Sequence, residues 1–105
     1  MYVDPGQTFV AVNYTVTSDG ALVAGVAGQR IRILALVATA AANQTSFTDG
    51  AGATLIPEVT CTKANPFILP FSEVGWGDTA VGQSLNIAIT GSDSNSGTVV
   101  YAYVA

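Results

Sequence analysis

The stretch Thr8-Phe9-Val10-Ala11-Val12-Asn13-Tyr14-Thr15-Val16-Thr17 alternates with a period of two. Val10, Val12, Tyr14 and Val16 fall on one face, and the more polar set Phe9, Ala11, Asn13, Thr15 and Thr17 on the other. That alternation, in residues that are mostly β-branched or aromatic, is the pattern of a half-buried strand. Ser18-Asp19-Gly20 follows at once and suits a tight hairpin, with glycine supplying the positive φ.

The same reading extends in both directions. Turn signals recur about every ten residues: Asp4-Pro5-Gly6, Ala27-Gly28, Asp49-Gly50-Ala51-Gly52, Asn65-Pro66, Gly75-Trp76-Gly77, Gly82 and Gly91 through Gly97. Short runs rich in Val, Ile, Thr, Tyr and Phe lie between them, and no long amphipathic helix with caps is present. Eight or nine strands are expected, at about 8–17, 21–25, 29–39, 44–49, 53–56, 59–63, 66–70, 84–90 and 97–104. Arg30 and Arg32 share a face against Ile31 and Ile33, after which Leu34 to Ala38 is apolar on both sides. A strand of that kind enters a covered centre or a subunit contact. Val99, Tyr101 and Tyr103 oppose Val100, Ala102 and Val104, so the last strand is likewise central or in contact with a partner. The expected fold is all-β, a two-sheet antiparallel sandwich of jelly-roll type with about eight strands in residues 8–105, preceded by an N-terminal arm at 1–7. An immunoglobulin-like sandwich is the runner-up, but Trp76 falls late and the cysteine pair is missing.

Composition narrows the function. Half of the 105 residues are apolar and 10% are charged, against about 25% in an average soluble chain. Three Lys/Arg and seven Asp/Glu leave a net charge of −4, with no histidine. Intrinsic disorder is excluded by the apolar content, and a basic nucleic-acid interface by the want of cations. A domain that neglects surface charge in this way hides much of its surface against other chains or works outside the cell. Met1 to Gly6 lacks the basic stretch and apolar core of a leader, so standard export is not expected. The longest apolar run, Ile33 to Ala42, is about ten residues, half of what crosses a bilayer.

Candidate chemistry is sparse. Cys61 has no partner for an intrachain disulfide and no histidine to activate it, so it is expected as a small buried hydrophobe. Nucleophilic triads and His or Cys metal sites are unavailable, and no cofactor is expected. Glu73 and Asp78 flank Trp76 as a glycosidase pair would, yet also read as solvated acids around a Trp that plugs one end of the sandwich. Asp93, Ser94, Asn95 and Ser96 offer oxygen ligands to calcium but lack EF-hand spacing, and read as a solvated hairpin loop. Asn13-Tyr14-Thr15 and Asn43-Gln44-Thr45 match a glycosylation sequon by chance. Trp76, Phe67, Phe71, Tyr101 and Tyr103 suit either sugar stacking or packing. Arg30 and Arg32 are expected to pair with carboxylates, within the domain or across an oligomer seam, and a phosphate or sialic-acid site is the other reading.

Four stretches together resemble small structural proteins of tailed-phage particles: Gly28-Gln29-Arg30-Ile31-Arg32-Ile33-Leu34-Ala35-Leu36-Val37-Ala38, Phe47-Thr48-Asp49-Gly50-Ala51-Gly52, Phe67-Ile68-Leu69-Pro70-Phe71, and Gly75-Trp76-Gly77-Asp78-Thr79-Ala80-Val81-Gly82-Gln83-Ser84-Leu85-Asn86-Ile87. The span covers about 60% of the chain. The resemblance implies a jelly-roll sandwich, commonly trimeric, attached outside a capsid or forming part of a fibre or knob. It carries no catalytic residue. On that basis the chain is expected to be a non-enzymatic capsid decoration or cement protein. It would be made in the host cytoplasm, pair with itself and with the major capsid protein, and bind neither nucleic acid nor membrane. Arg30, Arg32, Trp76, Tyr101 and Tyr103 are the candidate oligomer or capsid contacts. The alternative is a carbohydrate- or receptor-binding module at a fibre or knob tip, using exposed aromatics.

Overall fold

Every period-two segment forms a strand. The computed structural model describes residues 9–40, 42–62, 66–90 and 94–105. The N-terminal arm at 1–7 therefore lies outside the described residues. Nine strands are present among them: β1 (Val10–Val16), β2 (Gly20–Val23), β3 (Arg30–Ala40), β4 (Ala42–Asp49), β5 (Thr54–Thr62), β6 (Phe67–Leu69), β7 (Gly77–Asp78), β8 (Leu85–Thr90) and β9 (Asn95–Val104). The first sheet has the order β1-β9-β3-β6, with β7 pairing further along β3, and the second has the order β2-β8-β4-β5. All pairings are antiparallel. With β6 and β7 counted as two pieces of one strand, first-sheet order 1-8-3-6 faces second-sheet order 2-7-4-5. This is jelly-roll connectivity, two Greek keys folded into a sandwich.

The core lies between the sheets. Ile31, Ile33, Leu36, Ala38, Val99 and Tyr101 from the first sheet meet Phe47, Ile56, Cys61, Leu85 and Ile87 from the second. Each fully buried Leu, Ile or Phe contributes about 1.5–3 kcal/mol relative to exposure. Cys61 is a free, buried thiol, as expected. One polar bridge crosses this core. The Tyr14 hydroxyl donates to Asn95 Oδ1 at 2.7 Å, and Asn95 Nδ2 donates to Thr45 Oγ1 at 2.8 Å. Burial pushes the Tyr14 phenol above its ordinary range, with the neighbouring Cys61 adding to the shift.

Three expectations are corrected. Segments 53–56 and 59–63 belong to one strand, β5: Thr45 pairs with Val59 and Phe47 with Ile56, so Pro57 and Glu58 bulge out together opposite Ser46. Proline is tolerated there because β5 is a sheet edge. Asn95 to Gly97 are not loop but the start of β9, since burying the Asn95 amide satisfies its hydrogen bonds inside the core. The third concerns β7, two residues with no strand propensity of their own, placed by pairing Arg32 with Asp78 and Ile33 with Gly77.

Candidate functional site

A bulge in β3 sets up the outer face of the first sheet. Ile33 pairs with Tyr101, but the next pair is Ala35 with Val100, which leaves Leu34 as the extra residue. Inward-facing positions therefore switch from Ile31 and Ile33 to Leu36, Ala38 and Ala40. Leu34 is thrown outward, where it forms a second, smaller buried cluster with Ala102 and Val104, flanked by Val100. This is why β3 and β9 are apolar on both faces.

The segment from Pro70 to Trp76 leaves the sheet after β6, crosses this outer cluster and returns as β7. Its backbone is pinned to the bulge: Ser72 N–H donates to the Leu34 carbonyl at 2.9 Å and Trp76 N–H to the Ile33 carbonyl at 2.8 Å. The return is fixed by charge. Arg32, 3% exposed, makes a two-pronged contact with Asp78, Nε to Oδ1 at 2.8 Å and Nη2 to Oδ2 at 2.7 Å. Fork-to-fork geometry of this kind is directional as well as strong. Hydrogen bonding to Asp78 raises the Arg32 pKa further, against the opposing effect of burial. Gly75 lies against the Arg32 stem with φ +88°, a backbone conformation open to glycine.

Apart from Glu73, what this excursion and the adjoining strands present to solvent is largely apolar. Val37 on β3 stands directly opposite Ile68 on β6, and both are exposed, Ile68 at 56%. Phe71, half exposed, packs its ring 5.5 Å from that of Phe9 at the head of β1. Trp76, 42% exposed, donates its indole N–H to the Pro70 carbonyl at 2.8 Å. Val74 is exposed on the same excursion. Val37 with Ile68 and Phe71 with Phe9 make two exposed apolar pairs, together the apolar strip of this face, and Trp76 is exposed on the excursion between β6 and β7. Glu73 is the charged residue carried on the excursion.

The expected contact residues are thus dispersed. Arg32 is buried within its own domain, and Tyr101 belongs to the core, edge-on to Tyr103 with ring centroids 5.7 Å apart. Burial, and next the Tyr103 neighbour, raise the Tyr101 pKa. Tyr103 is half-buried and donates its hydroxyl to the Ala24 carbonyl. Arg30 reaches the Thr79 carbonyl at 3.3 Å rather than a carboxylate. Trp76 does not plug an end of the sandwich but lies outside the first sheet, and Asp78 is no solvated loop acid but the partner of Arg32. Thr79 accepts a hydrogen bond from Ile31 N–H through its hydroxyl.

Two features escaped the sequence. Val37 sits in a run whose apolar double face is visible in the sequence, but its outward aim, opposite Ile68, depends on the bulge. Asp49, expected only as a turn residue, is a buried carboxylate: Oδ1 accepts from Ala51 and Ala53 N–H at 2.9 and 3.0 Å, and Oδ2 from Ala80 N–H at 3.0 Å. Among the described residues no group of three His, Cys, Asp or Glu is placed to hold a metal, and no buried polar side chain lacks a partner. Asn95, one of the suggested calcium ligands, spends its amide on Tyr14 and Thr45. Asp93 lies outside the described residues. Compared with known proteins, the chain matches no family model, no curated protein and no solved structure.

Proposed function

We propose that this chain is a non-enzymatic assembly subunit, and most concretely a virion structural protein that decorates or cements a phage head. The observation that carries the reading is the strip of Val37, Ile68, Phe71 and Phe9: two pairs of exposed large apolar side chains, one across β3 and β6 and one between the excursion and the head of β1, in a domain with few charges. Exposed apolar patches mark surfaces that a partner covers. Its cost to a free molecule is offset when copies and a shell bury it, at about 25 cal/mol per Å² as an upper-bound tally. Repetition on a symmetric lattice adds avidity. In this reading the subunit joins other copies, as the resemblance to trimeric decoration proteins implies, and docks on the major capsid protein at the outside of the particle.

The strip is tested by Ile68→Asp. Sedimentation velocity at micromolar concentration should show the parent chain associating, and the variant weakened by at least tenfold in dissociation constant, about 1.4 kcal/mol, with an unchanged melting temperature. A monomeric parent chain overturns the reading. The shell assignment is tested in the gene neighbourhood, where a major capsid protein or portal gene supports it and metabolic genes refute it. A second reading, a carbohydrate- or receptor-binding module, is favoured by the exposure of Trp76 and Phe71 on one excursion. Binding on a glycan array that Trp76→Ala abolishes without unfolding the chain would establish it.

A further inference from the structure

The four sheet borders are not alike. Unpaired strand edges offer rows of free N–H and C=O groups to any extended chain, and proteins blunt them by shortness, charge, proline or bulges. β2 has four residues, β6 three and β7 two. β5 is long but carries Pro57, Glu58 and register shifts against β4. β1 has none of these devices. Its seven residues, Val-Ala-Val-Asn-Tyr-Thr-Val, hold no charge and no proline. They run in unbroken register on β9 from Val10 opposite Tyr101 to Val16 opposite Asn95. Among the described residues no strand pairs with its other side.

We propose that β1 is a self-docking edge: two copies of this chain join β1 to β1, antiparallel about a two-fold axis, into one continuous sheet. The occupant follows from charge and symmetry. The chain carries −4 overall, yet none of its seven acids lies on β1, so a second copy meets no like charge along the seam. An isologous contact needs a self-complementary strand. Full overlap of seven residues places the middle one, Asn13, opposite itself, with Ala11 opposite Thr15 and Val12 opposite Tyr14. Asn13 and Thr15 are exposed on the outer face; Asn13 Oδ1 accepts from the Thr98 hydroxyl at 2.6 Å and Thr15 shares a hydrogen bond with Ser96, so the Asn13 amide NH2 is what the seam would set against its copy. The seam extends the assembly reading; it meets the apolar strip at Phe9, which heads β1, while Val37 and Ile68 lie at the opposite side of the sheet. It closes as a dimer, so three-fold order has to come from the strip.

Introducing charge at the axis tests it. Side chains directly opposite across an antiparallel pair lie about 5 Å apart, where like charges repel. Asn13→Lys alone and Asn13→Asp alone should each weaken association by about tenfold, while an equal mixture of the two should restore it as a heterodimer. Both variants should keep the parent's circular dichroism, because Asn13 is exposed. Unchanged sedimentation in either variant, or no recovery in the mixture, overturns the seam. Hydrogen exchange gives a second measurement on the unaltered chain: β1 amides should gain protection as concentration rises, and concentration-independent exchange refutes the pairing. Association lost in Ile68→Asp but kept in both Asn13 variants sinks the seam and leaves the strip standing; the reverse sinks the strip.

Discussion

Asp49 shows how a residue can look like punctuation and act as a clasp. In sequence, Asp49-Gly50-Ala51-Gly52 is an ordinary turn signal. In the fold the carboxylate is 2% exposed and ties the β4–β5 turn to the segment leading into β8. The hydrogen bond from Ala80 and those from the turn hold its pKa below the usual carboxylate range, against the effect of burial. A lowered folded pKa means stability that is present above the unfolded value, near pH 4, and lost as pH falls through the folded one. Asp49→Asn, which turns an amide donor toward backbone donors, should cost about 1–3 kcal/mol near neutral pH. Urea midpoints followed down in pH should show the gap between parent and variant closing in acid; a gap that stays constant would contradict this account. The long-range partner, Ala80, is the part no local pattern reveals. By contrast Cys61 was legible, because a lone cysteine in a β-like run with no base nearby has little to do but pack.

Strands were legible where alternation is uninterrupted, as in β1, β8 and the second half of β9. Breaks in register were not. The bulge at Leu34 leaves no mark in a run apolar on both faces, so the switch of inward positions is invisible until β9 is laid beside it. Asp78 and the Trp depart from expectation for the same reason, while Glu73 is exposed as expected: the excursion from Pro70 to Trp76 is shaped by tertiary contacts with that bulge, not by its own residues. Gly75 is the exception, since its positive φ is a local demand. A Cβ there would meet Arg32 Cγ at 2.6 Å, and the Arg32 stem cannot step aside while Asp78 grips its guanidinium. Gly75→Ala should therefore cost about 1–3 kcal/mol and loosen the excursion, read as a change in Trp76 fluorescence below the unfolding midpoint. Parent-like fluorescence together with parent-like stability would show that the excursion is not held as described.

Over the whole molecule the scarcity of charge decides the behaviour. Contacts made by the strip and by an uncharged edge owe nothing to ion pairs, so sodium chloride should leave association unaltered and ammonium sulfate should strengthen it. Light scattering across the two salts checks this, and dissociation on adding sodium chloride would point to ionic contacts instead. Jelly-roll connectivity has a further consequence. β9 is the ninth strand of the chain yet lies between β1 and β3, so neither can complete its pairing until β9 has left the ribosome. During translation β4 and β5 make the one pairing between successive strands among the described residues, and the remaining apolar segments wait unsheltered. Such a protein closes its first sheet only once β9 has emerged, and the interval before closure is when chaperones have most to offer.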